Sequence, residues 1–286
     1  MAISAEVNAD QAEFWNSNTG AQWVQEQEVL DTLFAGVLEH LLERADLLPG
    51  QSVLDIGCGT GASVLAACER VGPEGAVEGL DISRRMLERA GQRAEAAGHA
   101  QARLINADAQ VHTFEPQTFD RVVSRFGVMF FEDTVSAFAN IARAVKPSGR
   151  MTFASWGAMQ DNPWFSVPRA AAIERLGTVA PADPNAPGPM AFQDTERVLG
   201  LFAKAGLRDA NFEVVNVPLR PPGIVEEVAE IASSVGPASR ILREKGGTAE
   251  DAQAIAQIVA LEYAQYATPE GVRIPTQLNF YSAFVP

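Results

Sequence analysis

Hydrophobic residues are spaced in two different ways along the first half of the chain. Between residues 30 and 45 they recur every three or four positions, which predicts an amphipathic helix that ends before Pro49-Gly50. Further along they form short continuous runs that predict buried strands: SVLDI, GAVEGLDIS, ARLINAD, FDRVVSRFG and GRMTFASWG. Helical patterns over 61–71, 84–97 and 132–146 separate these runs. Strands and helices that alternate in this way favour a parallel sheet covered by helices on both faces.

The pattern is less regular after Trp156. Six prolines between residues 162 and 189 predict no continuous regular structure there. Helical spacing returns at 194–205 and across 225–267, and the runs NFEVVNVPL and TQLNFYSAFV predict two more strands. We therefore expect an α/β fold: a seven-stranded, mostly parallel sheet with an N-terminal helical lid and helical insertions at 158–193 and 224–268.

The charge is strongly negative and unevenly distributed. The formal net charge is −14, and residues 1–50 hold nine acidic residues against one basic residue, Arg44. A surface of this sign repels phosphate backbones, so we expect no nucleic-acid partner.

Several features predict a cytoplasmic protein without a membrane partner. No apolar run approaches the roughly 20 residues of a membrane-spanning helix. The N-terminal stretch MAISAEVNADQAEFW lacks the basic start and apolar centre of a secretory signal. Cys58 and Cys68 are spaced like free thiols, and the three histidines stand far apart, so we expect no metal site.

Residues 53–63, VLDIGCGTGAS, join a predicted strand to a predicted helix through three glycines at alternate positions. Glycines at such a junction let the backbone approach a ligand without a Cβ in the way. The helix N-terminus adds backbone donors, and ligands of open parallel sheets bind at this edge, outside the carboxyl ends of the strands. The stretch therefore predicts a ligand-binding loop.

Two ligand classes use such a loop. A dinucleotide fits the G-x-G-x-x-A spacing of Gly57, Gly59 and Ala62, with Asp81 near the position of a ribose-binding acid. Asp55 counts against it, because this charge two residues before the first glycine would crowd an anionic pyrophosphate. A ligand with cationic groups, such as the sulfonium and amino groups of S-adenosylmethionine, suits Asp55 better.

Five motifs in order along the chain resemble those of class I S-adenosylmethionine-dependent methyltransferases. They are VLDIGCGTG at 53–61, GLDIS at 79–83, NADA at 106–109, FDRVVS at 119–124 and VKPSGR at 145–150. Ser148 stands where glycine is common in the family. The N-terminal pattern FWN…GAQW resembles the quinone-biosynthesis type within the small-molecule branch.

The resemblance implies a Rossmann-like fold and S-adenosyl-L-methionine as the cofactor. It implies a helical cap at 1–48, an S-adenosylmethionine-binding core at 49–157, and a segment at 158–286 that completes the sheet and covers the substrate. The implied cofactor-binding residues lie at the strand ends: Asp55, Gly57, Cys58, Gly59, Thr60, Asp81, Ile82, Met86, Asp108, Ala109 and Arg125.

Individual roles follow from the same resemblance. Asp81 is expected to accept hydrogen bonds from the ribose hydroxyls, and Asp108 to accept one from the adenine amine, with the Ala109 N–H donating to the ring. Asp55 either orients the amino group or only caps loop N–H groups, and Arg125 either faces the methionine carboxylate or is structural.

Two further expectations concern the apolar neighbours and the thiol. Ile82 and Met86 either sandwich the adenine or belong to the core. No histidine lies near Cys58 in the sequence, so we expect no catalytic thiol there.

Tryptophans concentrate in the segments expected to cover the site: Trp15, Trp23, Trp156 and Trp164. Such rings suit a small, partly apolar methyl acceptor and exclude water, or they pack the insertions onto the core. Trp15 and Trp23 flank NSNTG at 16–20, which favours a turn within a mobile lid.

Methyl transfer to a small molecule is thus the predicted function. The sequence leaves open whether oxygen, nitrogen, carbon or sulfur is methylated, which residue is the base, and the oligomeric state. The alternatives are a NAD-dependent oxidoreductase and a cofactor-binding protein of the same fold that has lost its chemistry.

Overall fold

The computed structural model describes residues 7–181 and 183–286. Twelve α-helices lie in those two ranges: α1 Ala9–Asn16, α2 Asn18–Gln25, α3 Gln27–Leu33, α4 Ala35–Ala45, α5 Ala62–Val71, α6 Arg84–Ala96, α7 Thr134–Ala144, α8 Pro163–Leu176, α9 Thr195–Lys204, α10 Val225–Ser234, α11 Gly236–Lys245 and α12 Ala249–Tyr263. The strands are β1 Ser52–Ile56, β2 Ala76–Asp81, β3 Ala102–Asn106, β4 Phe119–Arg125, β5 Val145–Trp156, β6 Arg208–Asn216, β7 Ala267–Thr268, β8 Gly271–Val272 and β9 Gln277–Phe284.

Seven strands form one sheet in the order β3-β2-β1-β4-β5-β9-β6, and β7 and β8 form a separate short hairpin. The pairs β3–β2, β2–β1, β1–β4 and β4–β5 are parallel, whereas β9 runs antiparallel to both β5 and β6. The fold class predicted from the sequence, a seven-stranded and mostly parallel α/β sheet, is confirmed. The strand order reverses between β1 and β4, which puts the glycine loop after β1 at the switch point where open sheets bind ligands.

The central strand β1 shows why the core forms where it does. Val53, Leu54 and Ile56 are at most 2% exposed, because helices cover both faces of the sheet. A continuous apolar run is typical of a parallel strand buried on both sides. Asp55 interrupts this run with a fully buried carboxylate, so β1 ends in a polar group beneath the glycine loop.

Helix starts follow the polar residues that precede them. Ser83 caps α6 by accepting a hydrogen bond from the Met86 N–H, and Asp133 and Asp194 cap α7 and α9 in the same way. Each side-chain oxygen satisfies an N–H group that the first helical turn leaves without a partner.

The N-terminal segment is more helical than its sequence predicts. We expected a turn at 16–20, but only Ser17 lies outside a helix, and its hydroxyl accepts from the Thr19 N–H to start α2. The glycine at position 20 has a packing reason, because a Cβ there would collide with the Trp15 carbonyl. The helix predicted over 30–45 is also two helices, broken at Phe34.

The first half of the proline-rich stretch after β5 forms a regular helix, against the prediction, whereas residues 177–181 and 183–189 form no helix or strand, as predicted. Helix α8 has Pro163 in its first turn, where a missing N–H costs little, but it also contains Pro168 in its interior. Trp164, Phe165 and Pro168 are buried, and α8 packs against α10, α11 and α12. Tertiary burial therefore outweighs the local cost of the interior proline.

Within the described ranges, no helix is both long enough and apolar enough to cross a membrane.

Candidate functional site

The loop between β1 and α5 carries three glycines with left-handed backbone: Gly57 at φ 66°, Gly59 at φ 54° and Gly61 at φ 90°. Two of them are required by packing inside the protein. A Cβ at Gly57 would lie 2.7 Å from Gly127 Cα, and one at Gly61 would lie 2.9 Å from Ala90 Cβ. At Gly59 a Cβ would meet only Met86 Sδ, at 3.9 Å. Gly59 is thus the glycine of the loop that leaves room for a ligand.

Asp55 lies below this loop with its carboxylate half satisfied. Its Oδ2 accepts a hydrogen bond of 2.5 Å from the Ser63 hydroxyl, and its Oδ1 is buried without a hydrogen-bond partner among the described residues. Burial raises the pKa of Asp55 from 3.8 to about 7, against the lowering effect of Ser63 and Arg125. The structure therefore does not use Asp55 to cap loop N–H groups and leaves an acceptor oxygen with free capacity.

Arg125, at the end of β4, is the second polar group with free capacity in this region. Its Nη1 is buried and lacks a hydrogen-bond partner in the described chain, and its guanidinium carbon lies 5.7 Å from the centre of the Phe34 ring. Loss of solvation lowers its pKa, while the charges of Asp31 and Asp55 act in the opposite direction. A buried donor and a buried acceptor thus lie in one electrostatic neighbourhood below the loop.

Asp81, at the end of β2, is held by backbone groups instead. Its Oδ2 accepts from the Gly59 N–H at 2.7 Å, and its Oδ1 accepts from the Ser83 N–H at 2.7 Å. Burial raises the pKa of Asp81 to about 6, although these backbone hydrogen bonds lower it. Each oxygen keeps one lone pair, so the carboxylate is fixed in orientation and still able to accept.

Asp108, after β3, is tied to the N-terminal segment. Its Oδ2 accepts from the side-chain amide of Asn8 at 2.8 Å, and its Oδ1 accepts from the Gln110 N–H at 2.9 Å. The residue is 5% exposed. Asn8 could not be predicted as a partner of Asp108, because nothing in the local sequence pattern links it to a strand end 100 residues away.

Apolar side chains complete this side of the site. Met86 and Ala109 are buried, and Ile82 is half-buried. Ile82 and Met86 lie at the start of α6, directly after Asp81. Their expected contact with the adenine stays a prediction.

Cys58 and Thr60 are the remaining predicted loop residues, and both are buried. Burial raises the pKa of the Cys58 thiol well above its ordinary value, so the group is a neutral thiol and a poor nucleophile. The Thr60 carbonyl accepts a 2.7 Å hydrogen bond from Arg93, which also forms an ion pair of 2.6 Å with Asp31 in α3. Arg93 thus joins the loop to the N-terminal helices.

An aromatic row runs from the N-terminal helices to the end of β5. Trp15 meets Trp23 edge to face at 5.9 Å, and Trp23 stacks on Phe34 at 6.4 Å. The row continues through Phe126 and Trp156, which stack with ring centres 4.7 Å apart. Three of the four tryptophans that we expected to cover the site therefore lie in this row of contacting rings.

The fourth tryptophan, Trp164, is buried in α8, and its neighbour Phe165 is the ring that contacts Trp156, at 4.6 Å. Phe126 itself has φ 68°, a left-handed conformation that costs a residue with a side chain about 1–2 kcal/mol. Backbone strain of this kind persists where surrounding contacts enforce it and is concentrated at functional sites.

Within residues 7–181 and 183–286, no group of three or more metal-ligating side chains is assembled.

Comparison with known proteins identifies the core. Residues 53–149 match a family model described as a methyltransferase domain. This segment is a methyltransferase domain. The family predicted from the five motifs is confirmed.

Two curated relatives of the methyltransferase domain are small-molecule enzymes by name. Aklanonic acid methyltransferase DauC of Streptomyces sp. (strain C5) is 36% identical over 122 residues, which are 43% of this chain and 56% of that protein. Demethylmenaquinone methyltransferase of Bacillus cytotoxicus is 37% identical over 106 residues, 37% of this chain and 45% of that protein. The matches thus span about half the length of these relatives.

The fold extends beyond the methyltransferase domain. A solved phosphoethanolamine N-methyltransferase 2 of Haemonchus contortus, in complex with phosphomonomethylethanolamine and S-adenosylhomocysteine, superposes with a TM-score of 0.53 at 23% identity. The alignment covers 87% of this chain and 52% of that one. It shows a shared fold.

Several residues around the methyltransferase domain became visible only in the structure. Asn8 and Arg93 tie the N-terminal helices to it, and Gly127 sets the close approach that requires a glycine at position 57. A glycine two residues after the end of β4 is a signal that the sequence does contain, since a second backbone in contact leaves no room for a Cβ. Asn8 and Arg93 carry no comparable signal.

Proposed function

We propose that this chain transfers a methyl group from S-adenosylmethionine to a small-molecule acceptor. The observation that carries the proposal is that two buried polar atoms below the glycine loop of a methyltransferase domain, Asp55 Oδ1 and Arg125 Nη1, have no hydrogen-bond partner in residues 7–181 and 183–286. A buried donor or acceptor left without a hydrogen bond costs about 1–3 kcal/mol. A ligand that carries both an ammonium and a carboxylate would satisfy the two atoms together.

The residues present fit this cofactor. Gly59 leaves space at the loop. Helix α5 begins at Ala62, where the loop ends, and the backbone N–H groups of its first turn have no acceptor within the helix. Asp55 and Arg125 supply one acceptor and one donor for the amino-acid part. The carboxylates of Asp81 and Asp108 follow at the ends of the next two strands, at the same edge of the sheet.

We assign the ribose hydroxyls to Asp81 and the adenine amine to Asp108. Asp81 is oriented by the Gly59 and Ser83 N–H groups and retains free lone pairs, which suits two hydroxyl donors. Ala109, Ile82 and Met86 offer an apolar surface next to these carboxylates. Cys58 and Thr60 contribute backbone to the loop rather than reactive side chains.

When bound, S-adenosylmethionine supplies a methyl group on a sulfonium that is already an activated leaving group. The residues of this chain then have to hold the acceptor atom in line with that group and exclude water. The aromatic row of Trp15, Trp23, Phe126 and Trp156 performs both tasks in this proposal. These rings carry no proton acceptor, so they position the acceptor and do not deprotonate it.

The acceptor is proposed to be small and partly apolar. Phe126, Trp156 and Phe165 pack into an aromatic cluster at the end of β5, and sites lined by aromatic side chains suit flat apolar molecules. The names of two relatives, aklanonic acid and demethylmenaquinone methyltransferases, support an acceptor of this kind. The small-molecule, quinone-type branch is therefore our preferred assignment.

We further propose three functional parts: the cap at 1–48, the cofactor-binding core at 49–157, and the substrate-covering segment at 158–286. Within that last segment α8, α10, α11 and α12 pack together, and Phe165 of α8 reaches Trp156 of the core. The acidic charge of the chain supports a function without nucleic acid, and the buried free thiols Cys58 and Cys68 support a cytoplasmic location.

The alternatives have less support. In a NAD-dependent oxidoreductase the pyrophosphate would approach the loop next to Asp55, whose ionised form repels it. A cofactor-binding protein that had lost its chemistry would hold the cofactor through the same residues, so the gain of a methyl group on an acceptor is the observation that separates it from the enzyme. The comparisons reported above all match methyltransferases.

Calorimetric titration of the purified protein with S-adenosylhomocysteine and with NAD tests the proposal. We expect saturable binding of S-adenosylhomocysteine and none of NAD. The reverse result would refute the assignment. Incubation with S-adenosylmethionine and a panel of quinones and polycyclic phenols, followed by mass spectrometry for the gain of one methyl group, then tests the acceptor class.

A further inference from the structure

Asn8 makes an unusually complete set of hydrogen bonds for a residue in a terminal segment. Its side-chain amide donates to Asp108 Oδ2 at 2.8 Å and to Gln110 Oε1 at 3.0 Å, and its Oδ1 accepts from the Glu132 N–H at 2.8 Å. Its own backbone N–H donates to the Glu132 carboxylate at 3.3 Å. The residue is 4% exposed.

The backbone at Asn8 explains how its side chain becomes available. Asn8 precedes α1 in a left-handed conformation, φ 54° and ψ 24°, and its side chain makes no capping hydrogen bond to that helix. Asparagine at such a position usually caps the helix that follows. Here the whole amide is directed at the core, so the contact with Asp108 is made at the expense of the local cap.

We propose that Asn8 is a positioning residue for adenine recognition and acts through Asp108. The inference rests on the proposed function, in which Asp108 accepts the adenine amine. Asn8 holds Oδ2 from one side and the Gln110 N–H holds Oδ1, so the carboxylate cannot rotate. Its orientation is fixed before the ligand arrives.

The contact leaves room for the adenine amine. An ionised carboxylate offers about four lone-pair sites, and the described structure uses two of them at Asp108. Asn8 and the adenine amine therefore share the carboxylate rather than exclude each other. A consequence is that the N-terminal segment and the adenine stabilise each other through one group, because both interactions need the same carboxylate orientation.

The test variant is Asn8→Gly, since glycine adopts the left-handed backbone without strain and removes only the amide. The matched control is Asn16→Ala. Asn16 also ties α1 to the core, through the Ile82 carbonyl at 3.1 Å and the Arg84 N–H at 3.1 Å, but it does not contact Asp108. Thermal unfolding of each variant checks that the fold is kept.

The readout is the affinity for two ligands, S-adenosylhomocysteine and S-inosylhomocysteine, which has a carbonyl oxygen in place of the adenine amine. We expect Asn8→Gly to weaken S-adenosylhomocysteine binding about five- to tenfold, the equivalent of one hydrogen bond. It should change S-inosylhomocysteine binding little, so the preference for the amine falls. Asn16→Ala should reduce both affinities by the same factor and keep the preference.

A second variant, Asn8→Asp, keeps the shape of the side chain and places a carboxylate against Asp108 and Glu132. We expect it to weaken S-adenosylhomocysteine binding further than Asn8→Gly. Unchanged or tighter binding in Asn8→Gly would overturn the proposal, and so would an equal loss for both ligands. Failure of the proposed function is a different result, namely no binding of S-adenosylhomocysteine by the unaltered protein.

Discussion

Asp55 and Asp81 are buried carboxylates at the ends of neighbouring strands, and burial raises the pKa of both, yet their hydrogen-bond partners differ. Asp81 has a backbone N–H on each oxygen, from Gly59 and Ser83. Asp55 has the Ser63 hydroxyl on one oxygen and no described partner on the other. The carboxylate at the ribose end thus has a hydrogen-bond donor on each oxygen without ligand, whereas the methionine end holds buried polar atoms that have no partner among the described residues, a cost that a ligand removes. The difference indicates where binding changes the protein most.

The largest effect expected from this comparison is on stability as a function of pH. Because burial raises the pKa of Asp55 from 3.8 to about 7, the folded state holds a proton that the unfolded state releases between these values. Stability is therefore highest at the low end of this window and falls as pH rises through it, by up to about 4 kcal/mol for this group. Asp55→Asn should remove the part of the fall that Asp55 causes and leave the smaller part due to Asp81, whose pKa burial raises to about 6, as measured by urea unfolding between pH 4 and 8.

The control carboxylate is Asp120 on β4, which pairs with Lys146 at 2.8 Å. Burial raises its pKa, but the hydrogen bonds from Lys146 and the Ser52 N–H outweigh burial, so the net pKa is below the usual value. Its contribution to stability is lost as pH falls, the opposite sign. If the free energy of unfolding changes with pH in the same way in Asp55→Asn and in the unaltered protein, Asp55 does not carry the free-energy cost that we assign to the methionine end.

The glycine loop, which serves both the methionine end and the ribose end of the proposed site, provides the second test. Gly57→Ala would put a Cβ 2.7 Å from Gly127 Cα on a left-handed backbone, whereas Gly59→Ala has space. We expect Gly57→Ala to lower the free energy of unfolding by about 3 kcal/mol or more, and Gly59→Ala by about 1 kcal/mol from the left-handed backbone alone. Denaturant titration measures both. Equal losses would mean that the loop does not need the approach of Gly127.

The third test addresses the ribose end. Asp81→Ala removes the acceptor that we assign to the ribose hydroxyls, so S-adenosylhomocysteine affinity should fall about tenfold or more, a loss of about 1–3 kcal/mol. Calorimetry on the folded variant measures it. An Asp81→Ala protein that binds as tightly as the original would contradict the assignment of Asp81.

The smallest effect concerns the N-terminal lid, a prediction made from the sequence. We expect ligand binding to slow hydrogen exchange across residues 10–28 more than in the sheet. Deletion of residues 1–24 should lower turnover and cofactor affinity while the sheet stays folded. Trp15 contacts Phe130 and the Ser83 hydroxyl, so static packing is the competing explanation. Exchange that is slow already and unchanged by ligand would favour that explanation.

The sheet and its ligand-binding edge could be predicted because their signals are local. Strands such as 52–56 are short apolar runs, and the glycines follow them directly. What the sequence could not predict depends on distant partners. Helix α8 tolerates Pro168 because other helices bury it, and Asn18–Gly20 are helical because Ser17 caps them and Gly20 fits under the Trp15 carbonyl.

The candidate site likewise has features that the sequence predicts and features that it does not. The carboxylates of Asp55, Asp81 and Asp108 lie at one edge, as strand order dictates. Their differing hydrogen bonds could not be predicted, since the partner of Asp108 lies 100 residues away in sequence. The strained backbone of Phe126 is equally a product of tertiary contacts.

The number of protons released when S-adenosylhomocysteine binds tests most directly whether Asp55 pairs with the ligand's ammonium. At pH 6 Asp55 is mostly protonated, because its pKa is about 7. Pairing with the ligand's ammonium favours the ionised form, so binding should release about one proton from this group. Titrations at pH 6 in buffers of different ionisation enthalpy measure this number. We expect the unaltered protein to release about one proton more than Asp55→Asn. An equal number for the two proteins would contradict the assignment of Asp55 to the ligand's ammonium.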